Sequence, residues 1–451
     1  MNRTLPLILT AALLLTACAS AVPAQSADAT TSPAAAASSP AQPDAAASSP
    51  SQPAAETSAP PLTPKFPVGH LLTLPQNQNS GPVWNTGDAL YELRDASNMT
   101  PEALVLKTDY AALTQSVYCD IPGCTHDSDA CPAYLASDLC VGVMAVDGTV
   151  YTYPGELTNV APTQIYRFDP ATGKTPVAAV PDALPHHMQL QWCDEYALYG
   201  CPLAASHQPG TLYRWDWQND TVQTIPMLAD EKIIACEGSR FLTIRIEANE
   251  PFPNFGSTEQ EKAILAHAVY VYAWLDPATG AREKICTRPY ADGYFHNYYD
   301  GRIYYTGNFR NADTPGQQAA LLYFDTADGT EKTLLETIPF DTYGIDVCEP
   351  FSPAFAGVPQ RYLRVLNVGD AYADCLLDME TGDVLPAPAV TVEGVRRPAL
   401  LLACTASGQW LTTANPLDSY DPQYSLYALW DPADFLADGQ PAAWVTMYAT
   451  E

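Results

Sequence analysis

The sequence predicts an all-β fold, a β-propeller of seven four-stranded blades. Three observations predict it: an acidic turn recurring about every fifty residues, a second turn-forming hairpin ahead of most of these turns, and almost no helical periodicity. The acidic turns are "IYRFDPATGK", "LYRWDWQNDT", "VYAWLDPATGA", "LLYFDTADGT", "CLLDMETGD" and "LYALWDPADF", with a weaker upstream match in "LVLKTDYAAL". Each has an apolar or aromatic run, an aspartate and then turn residues, often with glycine four places on, as a type I turn with a glycine bulge requires. The aspartates are Asp109, Asp169, Asp216, Asp276, Asp325, Asp378 and Asp431, at intervals of 60, 47, 60, 49, 53 and 53 residues. The preceding hairpins include "MAVDGTVYTY" and "NYYDGRIYYTG", whose Asp-Gly tips suit turns with two positive φ angles.

Two hairpins per repeat make one blade, and seven repeats make the ring. Six or eight blades are the alternatives, because the first repeat is weak and closure can recruit a strand near "HLLTLP" (70–75). A pair of β-sandwiches would not carry this period. The one helical stretch, "TEQEKAILAHAV" (258–269), falls in the long interval between Asp216 and Asp276 and reads as an insertion between strands or a strand approach.

Ahead of the repeats lie two segments of different character. Residues 1–17 combine Arg3, an apolar run from Leu5 to Leu15 too short to span a bilayer, and the small residues Thr16 and Ala17 before Cys18. The tetrad Leu15-Thr16-Ala17-Cys18 resembles the lipobox of bacterial lipoproteins. That resemblance implies cleavage before Cys18, acylation of Cys18 and an extracytoplasmic, membrane-anchored protein whose partner is the lipid bilayer. From Cys18 to Lys65 the chain is dominated by Ala, Ser, Pro and Thr, has almost nothing to bury, and reads as a disordered tether averaging roughly 40 Å end to end. The propeller domain then occupies 66–451.

With 51 acidic against 21 basic side chains the formal charge is −30. Nucleic-acid binding depends on Lys and Arg displacing counterions, so nucleic acid is excluded as a partner.

The first long interval holds a cysteine-rich insertion at about 117–140. Cys119, Cys124, His126 and Cys131 follow a C-x4-C-x-H-x4-C spacing, and Cys140 lies nine residues on. Three thiolates and one imidazole satisfy the four-coordinate preference of zinc, and a closed set of four protein ligands is structural. Outside the cytoplasm, closely spaced cysteines also oxidise, so two disulfides with His126 as a loop residue is the competing reading. Tyr118-Cys119 with "PGCTH" and "CPAY" resembles a signature of propeller-type lipoproteins of Gram-positive gut bacteria. The likeness runs from lipobox to repeats and implies architecture, not chemistry. Cys193, Cys236 and Cys404 end apolar strands at one blade position and read as small buried hydrophobes.

No nucleophile elbow, paired-histidine zinc helix, phosphate-binding glycine loop or EF-hand spacing occurs. The turns at Asp169, Asp276 and Asp378 resemble repeats of quinoprotein propellers but lack the tryptophan that follows them there. His186-His187 reads as an exposed loop. "GYFHNYYDGRIYYTG" (293–307), with Trp215, Trp217 and Trp274, is either aromatic packing between blades or a stacking platform for sugar rings. The expected function is therefore that of a surface-anchored binding or scaffold lipoprotein recognising a glycan or protein ligand through a propeller face. An extracytoplasmic glycan-active hydrolase or lyase and an envelope-assembly scaffold are the alternatives.

Overall fold

The computed structural model describes residues 63–74, 83–95, 102–136, 141–157, 164–202, 207–252, 258–290, 294–307, 320–336, 349–350, 361–365, 375–386, 389–392, 394–414, 426–437 and 439–448. Cys18, its flanking tetrad, nearly all of the tether and Cys140 lie outside the described residues. Among the described residues no helix is long and apolar enough to cross a membrane.

The fold is the β-propeller that the repeats predict. Among the described residues the strands form seven antiparallel sheets in chain order, spanning 83–135, 141–179, 188–229, 232–289, 294–335, 349–386 and 389–444, here blades 1 to 7. Six of the seven repeated aspartates occupy the same place, at or just after the end of the third strand of blades 1 to 6, and Asp431 follows Leu426–Trp430, the fourth of five strands in blade 7. The physical reason is local. A side-chain oxygen of Asp109, Asp169, Asp216, Asp276, Asp325 and Asp378 accepts backbone N–H groups two or three residues on, which folds the chain into the turn to the fourth strand. Asp431 differs, leading into the short helix Pro432–Leu436. The helix expected near 258 is Thr258–Leu265, inserted between the second and third strands of blade 4.

Apolar side chains join each blade to the next around the ring. One cluster runs through blades 1, 2 and 3, another joins blades 3 and 4 through Phe241 and Tyr199, a third joins 4 and 5 through Trp274 and Tyr298, and a fourth joins 5 and 6 through Tyr304 and Met379. A fifth carries blade 6 into 7 and blade 7 back into 1, with Tyr362, Trp410 and Leu90 as members. The tyrosine-rich hairpin is part of this packing. Tyr298, Tyr304 and Tyr305 are buried, as are Trp215, Trp217 and Trp274.

Among the described residues, ring closure uses no shared strand. Glu92 of blade 1, 3% exposed, accepts hydrogen bonds from Arg94 on its own strand and from Tyr427 of blade 7, each at 2.7 Å. The chain after blade 7 then lies parallel against the outer strand of blade 1, where Thr446 exchanges backbone bonds with Leu113 and Gln115. The strand near residues 70–75 does pair, though elsewhere. Leu72–Thr73 lies against the first strand of blade 3, opposite that strand's blade partner. It ends a strap in which Phe66 stacks on the fully buried Arg214, 4.6 Å from ring centroid to guanidinium carbon, and Arg214 donates to the Pro67 carbonyl.

Two expectations follow. Glu92→Gln leaves Arg94 buried without its counter-charge, so denaturant titration is expected to show a loss of about 3–5 kcal/mol. Tyr427→Phe, which removes one buried hydrogen bond, is expected to lose about 1–3 kcal/mol. The turn carboxylates add an acid limit. The Ala112 N–H holds Asp109 below its ordinary value, the Ala171 N–H does so for Asp169, and Lys332 draws Asp328 down to about 2. The unfolded chain therefore protonates first as pH falls, so the stability these groups contribute is complete above about pH 5 and is lost between about pH 4 and 2. With chelator present to remove any metal equilibrium, the melting temperature is expected to hold from pH 7 to about 5 and to drop below about 4.

Candidate metal centre

The insertion interrupts the outer strand of blade 1. That strand runs Thr114–Val117 beside Ala103–Asp109, leaves the sheet, and returns as Tyr134–Leu135 on the same neighbour. The residues between form a loop of tight turns. Cys124 N–H donates to Ile121, Cys131 N–H to Ser128 and Tyr134 N–H to the Cys131 carbonyl. Gly123 has φ 73°, and a Cβ there would meet nothing within 4 Å, so glycine serves the backbone angle and not a close approach. His126 takes φ 60°, a left-handed angle that costs a non-glycine residue free energy unless its surroundings hold it there.

These turns bring all four sequence-predicted residues together. The ligand atoms of Cys119, Cys124, His126 and Cys131 lie within 4.8 Å of one another, and His126 Nδ1 is 3.3 Å from Cys131 Sγ. With zinc–sulfur bonds of about 2.3 Å and zinc–nitrogen bonds of about 2.0–2.1 Å, the edges of a tetrahedral site measure roughly 3.5–3.8 Å, so the donor set fits with small contractions. Cys131 is 1% exposed and belongs to the core shared by blades 1 to 3, and the other three are partly exposed. The set is therefore anchored at one corner and open to solvent on the others. The eight cysteines whose side chains are described, the three in this cluster included, are not joined by sulfur–sulfur bonds. Among the described residues no other group of three or more histidine, cysteine or carboxylate ligands converges in this way.

The environment separates the thiols. Burial pushes Cys131 up to about 12 and also raises Cys119, whereas the backbone N–H of His126 lowers Cys124. A divalent cation reverses such a burial effect, because metal coordination favours the thiolate.

The loop is pinned to blade 2 by contacts that the sequence pattern does not show. Asp120 N–H donates to the Pro170 carbonyl at 2.8 Å, in the turn after the third strand of that blade. Lys174 of blade 2 donates to Asp129 at 2.7 Å and to the Tyr134 carbonyl, both in the second half of the loop. Tyr118, beside the first ligand, packs edge-on against Tyr91, with ring centroids 5.3 Å apart. Asp129 and Lys174 are 45 residues apart, so no local spacing signals the pair.

The other singled-out residues stay apart from this set. Cys193 and Cys236 lie at or next to the ends of the first strands of blades 3 and 4, Cys404 ends the second strand of blade 7, and Cys236 Sγ reaches the Leu71 carbonyl of the strap. His186 and His187 are exposed in a loop.

No family model matches this chain, and no curated protein matches it. Among solved structures, the β-propeller domain of the Trilobed protease from Pyrococcus furiosus aligns at TM-score 0.45 and 8% identity, covering 80% of this chain and 96% of that one. Pyrococcus horikoshii acylaminoacyl peptidase aligns at TM-score 0.42 and 10% identity, covering 81% of this chain and 51% of that one, so this chain spans about half its length. TolB from Acinetobacter baumannii aligns at TM-score 0.30 and 12% identity, over 79% and 82% of the two chains. These are likenesses of fold, and no activity is carried over from them.

The thiol environments have a chemical consequence. In chelator-treated native protein, iodoacetamide followed by peptide mass spectrometry is expected to modify Cys124 first and Cys193, which is buried and has its thiol form favoured by burial, only on unfolding. The reverse order would contradict the burial pattern.

Proposed function

We propose that this chain is a lipid-anchored extracytoplasmic propeller that binds or scaffolds and does not catalyse, and that Cys119, Cys124, His126 and Cys131 hold a zinc ion as a structural staple between blades 1 and 2. The observation that carries the reading is the convergence of four protein ligand atoms within 4.8 Å. Four protein ligands fill a tetrahedral shell, leaving no position for water or substrate, which is the arrangement of structural sites and not of catalytic ones. The loop's attachment to Pro170 and Lys174 of blade 2 gives the ion a mechanical task. The lipid anchor rests on the residues before Cys18, with the tether setting the propeller off the bilayer. A glycan or an envelope protein is the ligand class that fits this placement. Turnover of a cell-wall or dietary glycan by the purified propeller, abolished by one carboxylate substitution, would overturn the non-catalytic reading.

The staple is tested through stability, since an ion bound only by the folded state raises the melting temperature. A chelator without reductant is expected to lower the melting temperature by several degrees, His126→Ala to reproduce the loss, and added zinc to restore the chelated wild type alone. Loss on adding reductant alone, with His126→Ala silent, would make the cluster a disulfide knot instead.

A further inference from the structure

The turns of three blades meet around a second feature, a cavity of about 740 Å³ on the face that carries the aspartate turns. Its wall is built from two hairpin turns of blade 1, the first turn of blade 2 around Gly148, and the turn between the second and third strands of blade 7 at Thr405 to Gln409. It therefore sits at the seam where the ring closes, and its size is that of an ordinary small-ligand site.

The wall is fixed before any ligand arrives. The Ala406 N–H of blade 7 donates to the Gly87 carbonyl at 2.8 Å, and Asn85 Nδ2 donates to the Cys404 carbonyl at 2.7 Å. Beneath them Tyr110, itself part of the lining, donates its buried hydroxyl to Asn85 Oδ1 at 2.9 Å. Tyr91 lines the cavity and is held edge-on by Tyr118, so its ring is positioned from behind. Pre-set geometry lowers the ordering cost of binding.

The chemistry of the lining selects the ligand. Lys107 and Asp109 both face the cavity, about one third exposed, and are paired with each other at 3.0 Å. The two charges neutralise each other, so the pair offers donors and acceptors to hydroxyl groups, and the exposed Asp88 in the same wall adds a further acceptor and one net negative charge that repels an anion. Ser407 and Gln409 add a hydroxyl and an amide, and the Tyr91 ring adds an apolar face with a negative quadrupole that suits the C–H face of a pyranose. A net charge of −30 disfavours an anionic ligand further.

We propose that this cavity is a binding site for a neutral carbohydrate, with Tyr91 as the stacking ring and Lys107, Asp109, Ser407 and Gln409 as its hydroxyl partners. The assignment rests on the binding reading above and gives it a location and a ligand class.

The test titrates the full-length protein with maltotriose, cellotriose, xylotriose and chitotriose, and with trigalacturonic acid as the anionic counterpart. At least one neutral trisaccharide is expected to bind with a Kd in the micromolar to millimolar range (about 10⁻⁵–10⁻³ M). Tyr91→Ala and Lys107→Met are each expected to weaken it about tenfold or more, and Tyr91→Phe to preserve it. Because Tyr91 is half-buried, Ser407→Trp, on an exposed turn, provides the independent arm. It is expected to block binding with the melting temperature unchanged. Trigalacturonic acid binding more tightly than every neutral sugar, or neutral-sugar binding that survives both Tyr91→Ala and Ser407→Trp, overturns the site while leaving a glycan-binding propeller in place. No neutral sugar binding at about 10 mM overturns the site as well, and co-purification of an envelope protein in that case would leave the scaffold reading standing.

Discussion

A ring of blades is only as stable as its closure, and among the described residues the closing seam contains no strand shared between first and last blades. What joins them is a buried carboxylate, Glu92, held by Arg94 on one side and by the hydroxyl of Tyr427 across the seam, with the tail at Thr446 laid along the outer strand of blade 1. A desolvated charge pair contributes little net stability, but half of one is costly, so the seam is specific because it tolerates no partial version of itself. Blade 1 thus combines this buried side-chain contact with a few backbone bonds, from Thr446 to Leu113 and Gln115 and from Ala406 to Gly87, in place of a full shared strand.

The other flank of blade 1 has a related problem with a different solution. Its outer strand is interrupted between Val117 and Tyr134, so the ladder that would stiffen the blade edge is broken where blade 2 approaches. The inserted loop replaces the lost bonds with Asp120 to Pro170 and Lys174 to Asp129, and with the burial of Cys131. A loop of this length without regular structure loses conformational freedom on folding, and the proposed ion, tying four of its residues together, would offset that loss. The cavity lies along the same blade, walled by its turns, so the closing seam, the cysteine–histidine cluster and the cavity form one connected region.

The fold was legible because its signals are local. Each repeated aspartate closes a turn with amides two or three residues away, and that chemistry leaves a pattern in the sequence even where blades have diverged. The cysteine–histidine set was legible for the same reason, all four ligands lying within thirteen residues. Contacts across long separations left no such trace. Arg214 reaches Pro67 across 147 residues and Glu92 meets Tyr427 across 335, and neither position is unusual in its own neighbourhood. The tyrosine-rich hairpin was ambiguous because strand alternation shows which residues share a face but not what covers that face. In a propeller both faces of a blade meet neighbours, and Tyr298, Tyr304 and Tyr305 are packed there.

The central claim is that the insertion of blade 1 is organised by an ion and not by sulfur–sulfur bonds. X-ray absorption at the zinc edge, on the full-length protein purified without chelator from the cells that make it, tests it most directly. The account predicts a first shell of three sulfur atoms at about 2.3 Å and one nitrogen at about 2.0–2.1 Å, with no oxygen ligand. A protein that carries no zinc and whose sulfur-edge spectrum reports disulfides, or a zinc shell made of oxygen and nitrogen alone, would contradict it.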